Sequence, residues 1–187
     1  EKKNYSEGEV VELIESSEDR ITSQCKYFKE CGGCDFIDYD YRKQLKYKEN
    51  KVKELLKKIG NIDTKVSEII DCDDNLNYRN KITLQIDSGI GYYKKKSNNI
   101  VDIEYCPIAN KKINEIIKLS KEFEEIYKYK SLMIRSFEET NETMIVFDVK
   151  NYVNEETIIE HFKSNVDSIY IKNNNKFKLI YGKEKIT

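Results

Sequence analysis

Three cysteines stand close together as Cys25-Lys-Tyr-Phe-Lys-Glu-Cys31-Gly-Gly-Cys34, a C-x5-C-x2-C spacing that can gather three thiolates around one metal centre. Gly32 and Gly33 suit such a loop, because they let the backbone turn tightly and leave N–H groups to point at anionic sulfur. A structural zinc or a four-iron cluster takes four thiolates, so a fourth ligand must come from elsewhere in the chain. Cys106 is followed by Pro107, a pairing that recurs in ferredoxin-type ligation. Cys72 lies in Asp71-Cys72-Asp73-Asp74, where neighbouring carboxylates disfavour an anionic cluster, and it receives no role. The expected ligand set is therefore Cys25, Cys31, Cys34 and Cys106. Four thiolates suit zinc and iron–sulfur alike, and the spacing alone does not choose. It matches neither the C-x2-C-x2-C of ferredoxins nor the three-cysteine pattern of radical enzymes.

These ligands need elements to position them. The apolar stripe Leu45, Val52, Leu55, Leu56 and Ile59 predicts a helix over about 39–59, stopped by Gly60. Strands are expected at 9–14, 65–70, 80–86, 90–94 and 100–104, the last running into Cys106, with a reversal at Gly89-Ile90-Gly91. Beyond them the pattern predicts a helix over 110–128, strands at 131–137 and 143–149, a helix over 154–164 capped near Asn154, and strands at 168–172 and 177–181. Hairpin-like links outnumber strand–helix–strand crossovers. The expected fold class is α+β, a mainly antiparallel sheet with two or three helices and a cysteine-rich metal-cluster loop.

The chain has 187 residues, 39% hydrophobic and 36% charged, with no apolar run approaching the roughly 20 residues that cross a bilayer. Five cysteines is an odd number, and in a reducing compartment such cysteines serve metals more often than disulfides. A cytoplasmic protein without a membrane partner is expected. The formal net charge of −1 conceals local excess: residues 26–60 carry ten bases against six acids, and residues 78–96 five against one. Phosphate contacts are local, so such patches can bind RNA on a near-neutral protein, although a solvated helix face has the same composition.

The run Cys25 to Phe36, followed by Tyr39-Asp-Tyr41-Arg-Lys-Gln44-Leu45-Lys46, resembles bacterial RNA (uracil-5-)-methyltransferases. So do Tyr78-Arg79-Asn80-Lys81, the turn Ile90-Gly91-Tyr92-Tyr93, Ile100 to Ile108 around Cys106-Pro107, and the closing Tyr181-Gly-Lys-Glu184, in the same order. The resemblance implies a 4Fe-4S cluster on Cys25, Cys31, Cys34 and Cys106, of the cluster-bearing type that acts on ribosomal RNA. It implies that residues 1–24 are the remnant of an N-terminal oligonucleotide-binding β-barrel and linker, and 25–187 the central domain with the iron–sulfur loop. The family reaction it implies is attack of a cysteine thiolate on C6 of uracil, methyl transfer from S-adenosylmethionine to C5, and loss of the C5 proton. Nothing in the sequence resembles the S-adenosylmethionine loop, the nucleophile or the base, so the chain alone is expected to be an inactive monomer.

On that reading Tyr78, Arg79, Asn80 and Lys81 offer RNA a stacking face, phosphate pairing and base-edge hydrogen bonds, and Lys94, Lys95 and Lys96 bind phosphate. Arg42, Lys43 and Lys46 are weaker candidates, Tyr27, Phe28 and Phe36 would pack around the cluster, and His161 has no assigned role. Two other classes compete: a small iron–sulfur electron-transfer protein and a zinc-stabilised nucleic-acid-binding module. The basic residues outside the cysteine loop favour RNA recognition.

Overall fold

A computed structural model describes residues 6, 8 and 10–185. Their contacts form two units, one from Glu1–Ser23 with Asp38–Ile69, the other from Gln24–Ile37 with Ile70–Thr187.

The first unit is built around helix α1, Tyr41–Lys58. Asp40 caps it by accepting from the Lys43 N–H, and Lys57 and Lys58 complement the negative C-terminal end. Gly60 ends the helix by close approach, since a Cβ there would stand 2.8 Å from the Leu56 carbonyl oxygen. The left-handed residue is Asn61, with φ of 51°, so the stop needs both. Before the helix, Ile21 N–H donates to Asp38 (2.9 Å), Asp40 N–H to Asp19 (2.8 Å), and Lys43 pairs with Asp19 at 2.9 Å. The expected apolar stripe is present but buries no residue within the unit.

Two expected strands do not form. Of 9–14, Glu9 lies outside the described residues and 10–14 are irregular, with Val11 97% and Ile14 93% exposed. Residues 65–70 are likewise irregular. In both cases the residue types suit a strand but no neighbour among the described residues accepts the backbone, and lone strands are unstable.

The second unit is a seven-stranded sheet in the order β3-β2-β1-β4-β5-β6-β7. Its strands are β1 (Lys81–Ile86), β2 (Ile90–Tyr93), β3 (Ile100–Asp102), β4 (Tyr129–Phe137), β5 (Glu142–Val149), β6 (Ser168–Asn173) and β7 (Lys176–Gly182). All neighbours are antiparallel except β5 and β6, joined through helix α3 (Glu155–Phe162). The α+β, mainly antiparallel expectation is met with three helices. Helix α2 runs only Lys111–Lys121, shorter than the expected 110–128, and a 3₁₀ turn at Ile126–Lys128 follows. Phe123 and Ile126 are buried all the same, which is why the apolar periodicity outlasts the helix.

Alternation along the strands sends Ile82, Leu84 and Ile86, Leu132 and Ile134, and Ile145 and Phe147 to the core with Ile113, Ile116, Ile117, Ile158 and Phe162 of the helices. Phe147 lies at its centre, 4.6 Å from Tyr129 and 5.3 Å from Phe162 by ring centroids. His161 accordingly has a packing role: its ring is 4.9 Å from Phe123 and Nε2 is 3.0 Å from the Leu119 carbonyl oxygen. Phe147→Ala is expected to destabilise the protein by about 3–5 kcal/mol, read as a lower urea midpoint at unchanged slope.

Candidate metal centre and nucleic-acid interface

Segment Gln24–Ile37 is an irregular loop held against the sheet by its backbone. Cys31 N–H donates to Tyr27 (2.8 Å), tightening the turn between the first two cysteines. Gly32 N–H donates to the Tyr93 carbonyl (2.9 Å), and a Cβ on Gly32 would stand 2.9 Å from that oxygen, so the loop's approach to β2 requires glycine. This corrects one expectation: of the two glycines, Gly32 donates to β2 and Gly33 alone points its N–H at sulfur, 3.4 Å from Cys31 Sγ.

The distant cysteine is fixed by a residue that sequence reasoning missed. Asn114, on the first turn of α2, accepts from Cys106 N–H at 2.7 Å, while its amide donates to the Cys106 and Ala109 carbonyls, each at 3.1 Å. Its legible signal was only an asparagine eight positions after a Cys-Pro pair. Around the same turn, Glu104 N–H donates to Tyr27 Oη (2.8 Å), Tyr105 Oη donates to the Gln24 carbonyl (3.2 Å), and Lys26 pairs with Glu104 at 2.5 Å.

These contacts bring Cys25, Cys31, Cys34 and Cys106 to the wall of one small cavity, with Phe28, Ile37, Ile103 and Ile108 as apolar lining, Arg79 as its cation and Tyr27, Tyr92 and Tyr105 as its phenols. Phe36 does not line it, and Cys72 is exposed elsewhere, its thiol donating to the Asp74 carbonyl at 3.0 Å. None of the five cysteines is in a disulfide. Burial, reinforced by the neighbouring Cys106 sulfur, pushes the Cys34 thiol up to about 11. Burial likewise raises Cys25 and Cys31. Metal-free, these thiols are protonated at neutral pH, and any thiophilic metal must displace their protons. As placed, no group of three or more His, Cys, Asp or Glu among the described residues could hold a metal ion.

The basic candidates divide between two segments. Asn77 N–H donates to Pro107 (3.0 Å), Arg79 N–H to Ile108 (2.8 Å) and Asn110 N–H back to Arg79 (3.0 Å), so Tyr78–Lys81 is bound to the Cys106 turn. Tyr78, Asn80 and Lys81 are exposed, whereas Arg79 is half-buried at the cavity wall. Lys94 forms an isolated bridge with Cys31, and Lys95 N–H donates to the Glu30 carbonyl (3.1 Å), so Lys94–Lys96 is bound to the cysteine loop. Lys94 Nζ is 2.6 Å from Glu30, Lys95 Nζ is 3.8 Å from Asp35 and 5.0 Å above the Phe28 ring, and Lys96 is exposed. A further base escaped the sequence reading: Arg135 of β4 stands opposite Lys81 of β1 in register. Like charges placed so oppose one another unless an anion joins them.

A mainly antiparallel α+β unit presenting a four-cysteine cavity between basic segments is the class that fold and site define. The sequence matches no protein-family profile. It is 33% identical to an RNA methyltransferase of Clostridium tetani over 98% of this chain and 45% of that protein. It is 30% identical to one of Halalkalibacterium halodurans over 99% of this chain and 47% of that protein. Both are described as uncharacterized RNA methyltransferases, so the homologues are RNA methyltransferases and the chain spans about half their length. Among solved structures, the Pyrococcus abyssi tRNA (uracil-54, C5)-methyltransferase in complex with S-adenosyl-L-homocysteine is 30% identical, with a TM-score of 0.66 over 93% of this chain and 43% of that one. No helix among the described residues is long and apolar enough to cross a membrane.

In metal-free protein at neutral pH, Cys72 is expected to alkylate first and the buried Cys31 and Cys106 last, with the order lost in urea. Peptide mapping by mass spectrometry reads the rates. Equal rates for Cys72 and Cys31 in the folded protein would contradict the cavity.

Proposed function

We propose that this chain is the RNA-recognition region of an S-adenosylmethionine-dependent RNA (uracil-5-)-methyltransferase, with a 4Fe-4S cluster on Cys25, Cys31, Cys34 and Cys106. One observation carries the reading: each basic segment is hydrogen-bonded, backbone to backbone, to a cysteine-bearing segment, Lys94–Lys96 to the Cys31 loop and Tyr78–Lys81 to the Cys106 turn. Whatever fixes the cysteines thereby fixes the spacing of the bases.

The donor types suit the cluster: four thiols line one cavity and Gly33 directs an N–H at sulfur. As placed they form no metal-holding group, so loading needs the four side chains to draw together. A thiolate-held cluster supplies a covalent cross-link between distant segments, and metal binding is then folding energy. Zinc is the competing occupant, and metal content decides between them.

The rest of the role belongs to the chain's own side chains. Tyr78 offers a stacking face, Asn80 a base-edge donor and acceptor, and Lys81 with Arg135 a site for one phosphate. Lys96 binds phosphate directly, and Lys94 and Lys95 exchange Glu30 and Asp35 for phosphate oxygens. Arg79 belongs to the cavity wall. The methyl donor and the uracil nucleophile belong to the part of the enzyme these residues do not contain, so this chain binds RNA without methylating it. The ribosomal substrate rests on the sequence resemblance, whereas the solved relative acts on uracil 54 of tRNA, so both RNAs are assayed.

Protein purified without oxygen is expected to hold iron and acid-labile sulfide near four per chain, and Cys106→Ser to lose or degrade them. Zinc, or iron indifferent to Cys106, would overturn the ligand set. Replacing Lys81 and Lys96 together by Gln is expected to weaken RNA binding about 10-fold or more and to flatten its salt dependence by about two phosphate contacts, at unchanged iron. Unchanged affinity for both RNAs would remove these residues from the interface.

A further inference from the structure

The wall of the cysteine cavity holds two groups that the ligand set does not explain. Arg79 is the one cation lining it among the described residues, and Tyr92 brings a buried hydroxyl whose polar neighbours are Arg79 and Cys106. Both are placed by backbone. Arg79 is locked to the Cys106 turn through Ile108 and Asn110, and Tyr92 lies on β2, paired with Val101 of β3. Neither position depends on the side chain itself.

Their surroundings are sulfur. Arg79 shares the cavity wall with Cys31, Cys34 and Cys106, and a guanidinium keeps its charge when half-buried. The Tyr92 hydroxyl lies buried in the same wall. Four thiolates brought into this largely apolar cavity need opposite charge and donors close by, since burial of uncompensated charge is disfavoured. Gly33 N–H and Lys95 provide part of it, with Lys95 out in solvent.

We infer that Arg79 and Tyr92 are the counter-charge and hydrogen-bond donor of the sulfur cavity, holding and tuning the thiolate-ligated cluster, and that Arg79 serves this centre and not RNA. The inference rests on the cluster reading above. Arg79 and Tyr92 are positioning residues: they bind no iron and act through the ligating sulfurs. Cation and O–H donor both stabilise negative charge at sulfur, so losing either should make the cluster harder to reduce and easier to lose.

The test compares wild type with Arg79→Gln, Arg79→Lys and Tyr92→Phe, all purified without oxygen. Four readouts are taken: iron and sulfide per chain, midpoint potential by dye-mediated titration of the visible spectrum, bleaching rate in air, and RNA affinity. Arg79→Gln is expected to shift the potential to more negative values and to bleach about 10-fold faster, the loss usual for removing a residue that supports metal ligands. Arg79→Lys should recover most of both, because it restores the charge, and Tyr92→Phe should move both in the same direction by less. If Arg79→Gln fails to load at all, a loaded Arg79→Lys supports the same conclusion. Variants with wild-type potential and lifetime but weaker RNA binding would overturn the inference and leave the cluster standing. An iron-free wild type would overturn both.

Discussion

Four sulfurs borne by two remote stretches of chain must meet in one cavity, and the rest of the second unit is arranged around that constraint. The loop carrying Cys25, Cys31 and Cys34 has no helix or strand of its own. Its backbone is held at Tyr93 of β2 through Gly32 and at Lys95 through Glu30, its Lys26 and Tyr27 side chains reach residue 104, and its Gln24 carbonyl accepts from the Tyr105 hydroxyl. Cys106 is fixed from the opposite side by Asn114 of α2, a helix whose inner face is the sheet core. The loop is thus pinned to the rigid part of the fold at its edges while its centre is apolar cavity. In the proposed reading, a group bridging the four sulfurs would close the gap that these hydrogen bonds leave open.

Much of the sheet was legible because strands such as β1 and β4 have one wet and one dry face. From Lys81 to Ile86 buried positions alternate with exposed or part-exposed ones, and the same holds from Leu132 to Phe137 of β4. What failed to form at 10–14 and 65–70 has β-prone residues but no partner, and propensity carries no information about partners. The shortened α2 is the complementary error: Phe123 and Ile126 keep helical spacing because the core takes them from a 3₁₀ turn as readily as from a helix. At the site, the cysteine loop and the Cys-Pro turn were visible from spacing, whereas Asn114 and Arg135 were not. Both act across the fold, and a single sequence shows no pairings across it.

Charge shows the same limit. A net charge of −1 describes no surface of this molecule, because bases and acids are set beside one another by register. Glu30 and Asp35 neutralise Lys94 and Lys95 in the absence of a polyanion, which keeps the patch from repelling itself. Lys81 and Arg135 have the opposite arrangement, two cations face to face on β1 and β4. Exposed ion pairs are worth little in water and facing cations repel, so under the proposed RNA-binding role phosphate would displace the carboxylates at small cost and relieve the repulsion at Lys81 and Arg135.

Tyr78-Arg79-Asn80-Lys81 reads as one functional string, and the fold divides it. The segment is extended against the Cys106 turn, Arg79 exchanging backbone hydrogen bonds with Ile108 and Asn110, and extended chain sends successive side chains to opposite sides. Tyr78 and Asn80 accordingly face solvent while Arg79, between them, turns to the sulfur cavity. A guanidinium suits that inward position better than an ammonium would, since it is more weakly hydrated and keeps its charge when half-buried. Two environments, solvent outside and the cysteine cavity inside, thus share three consecutive residues. Moving the register by one would exchange them, which ties the exposed face of this segment and the cysteine cavity to the same backbone hydrogen bonds.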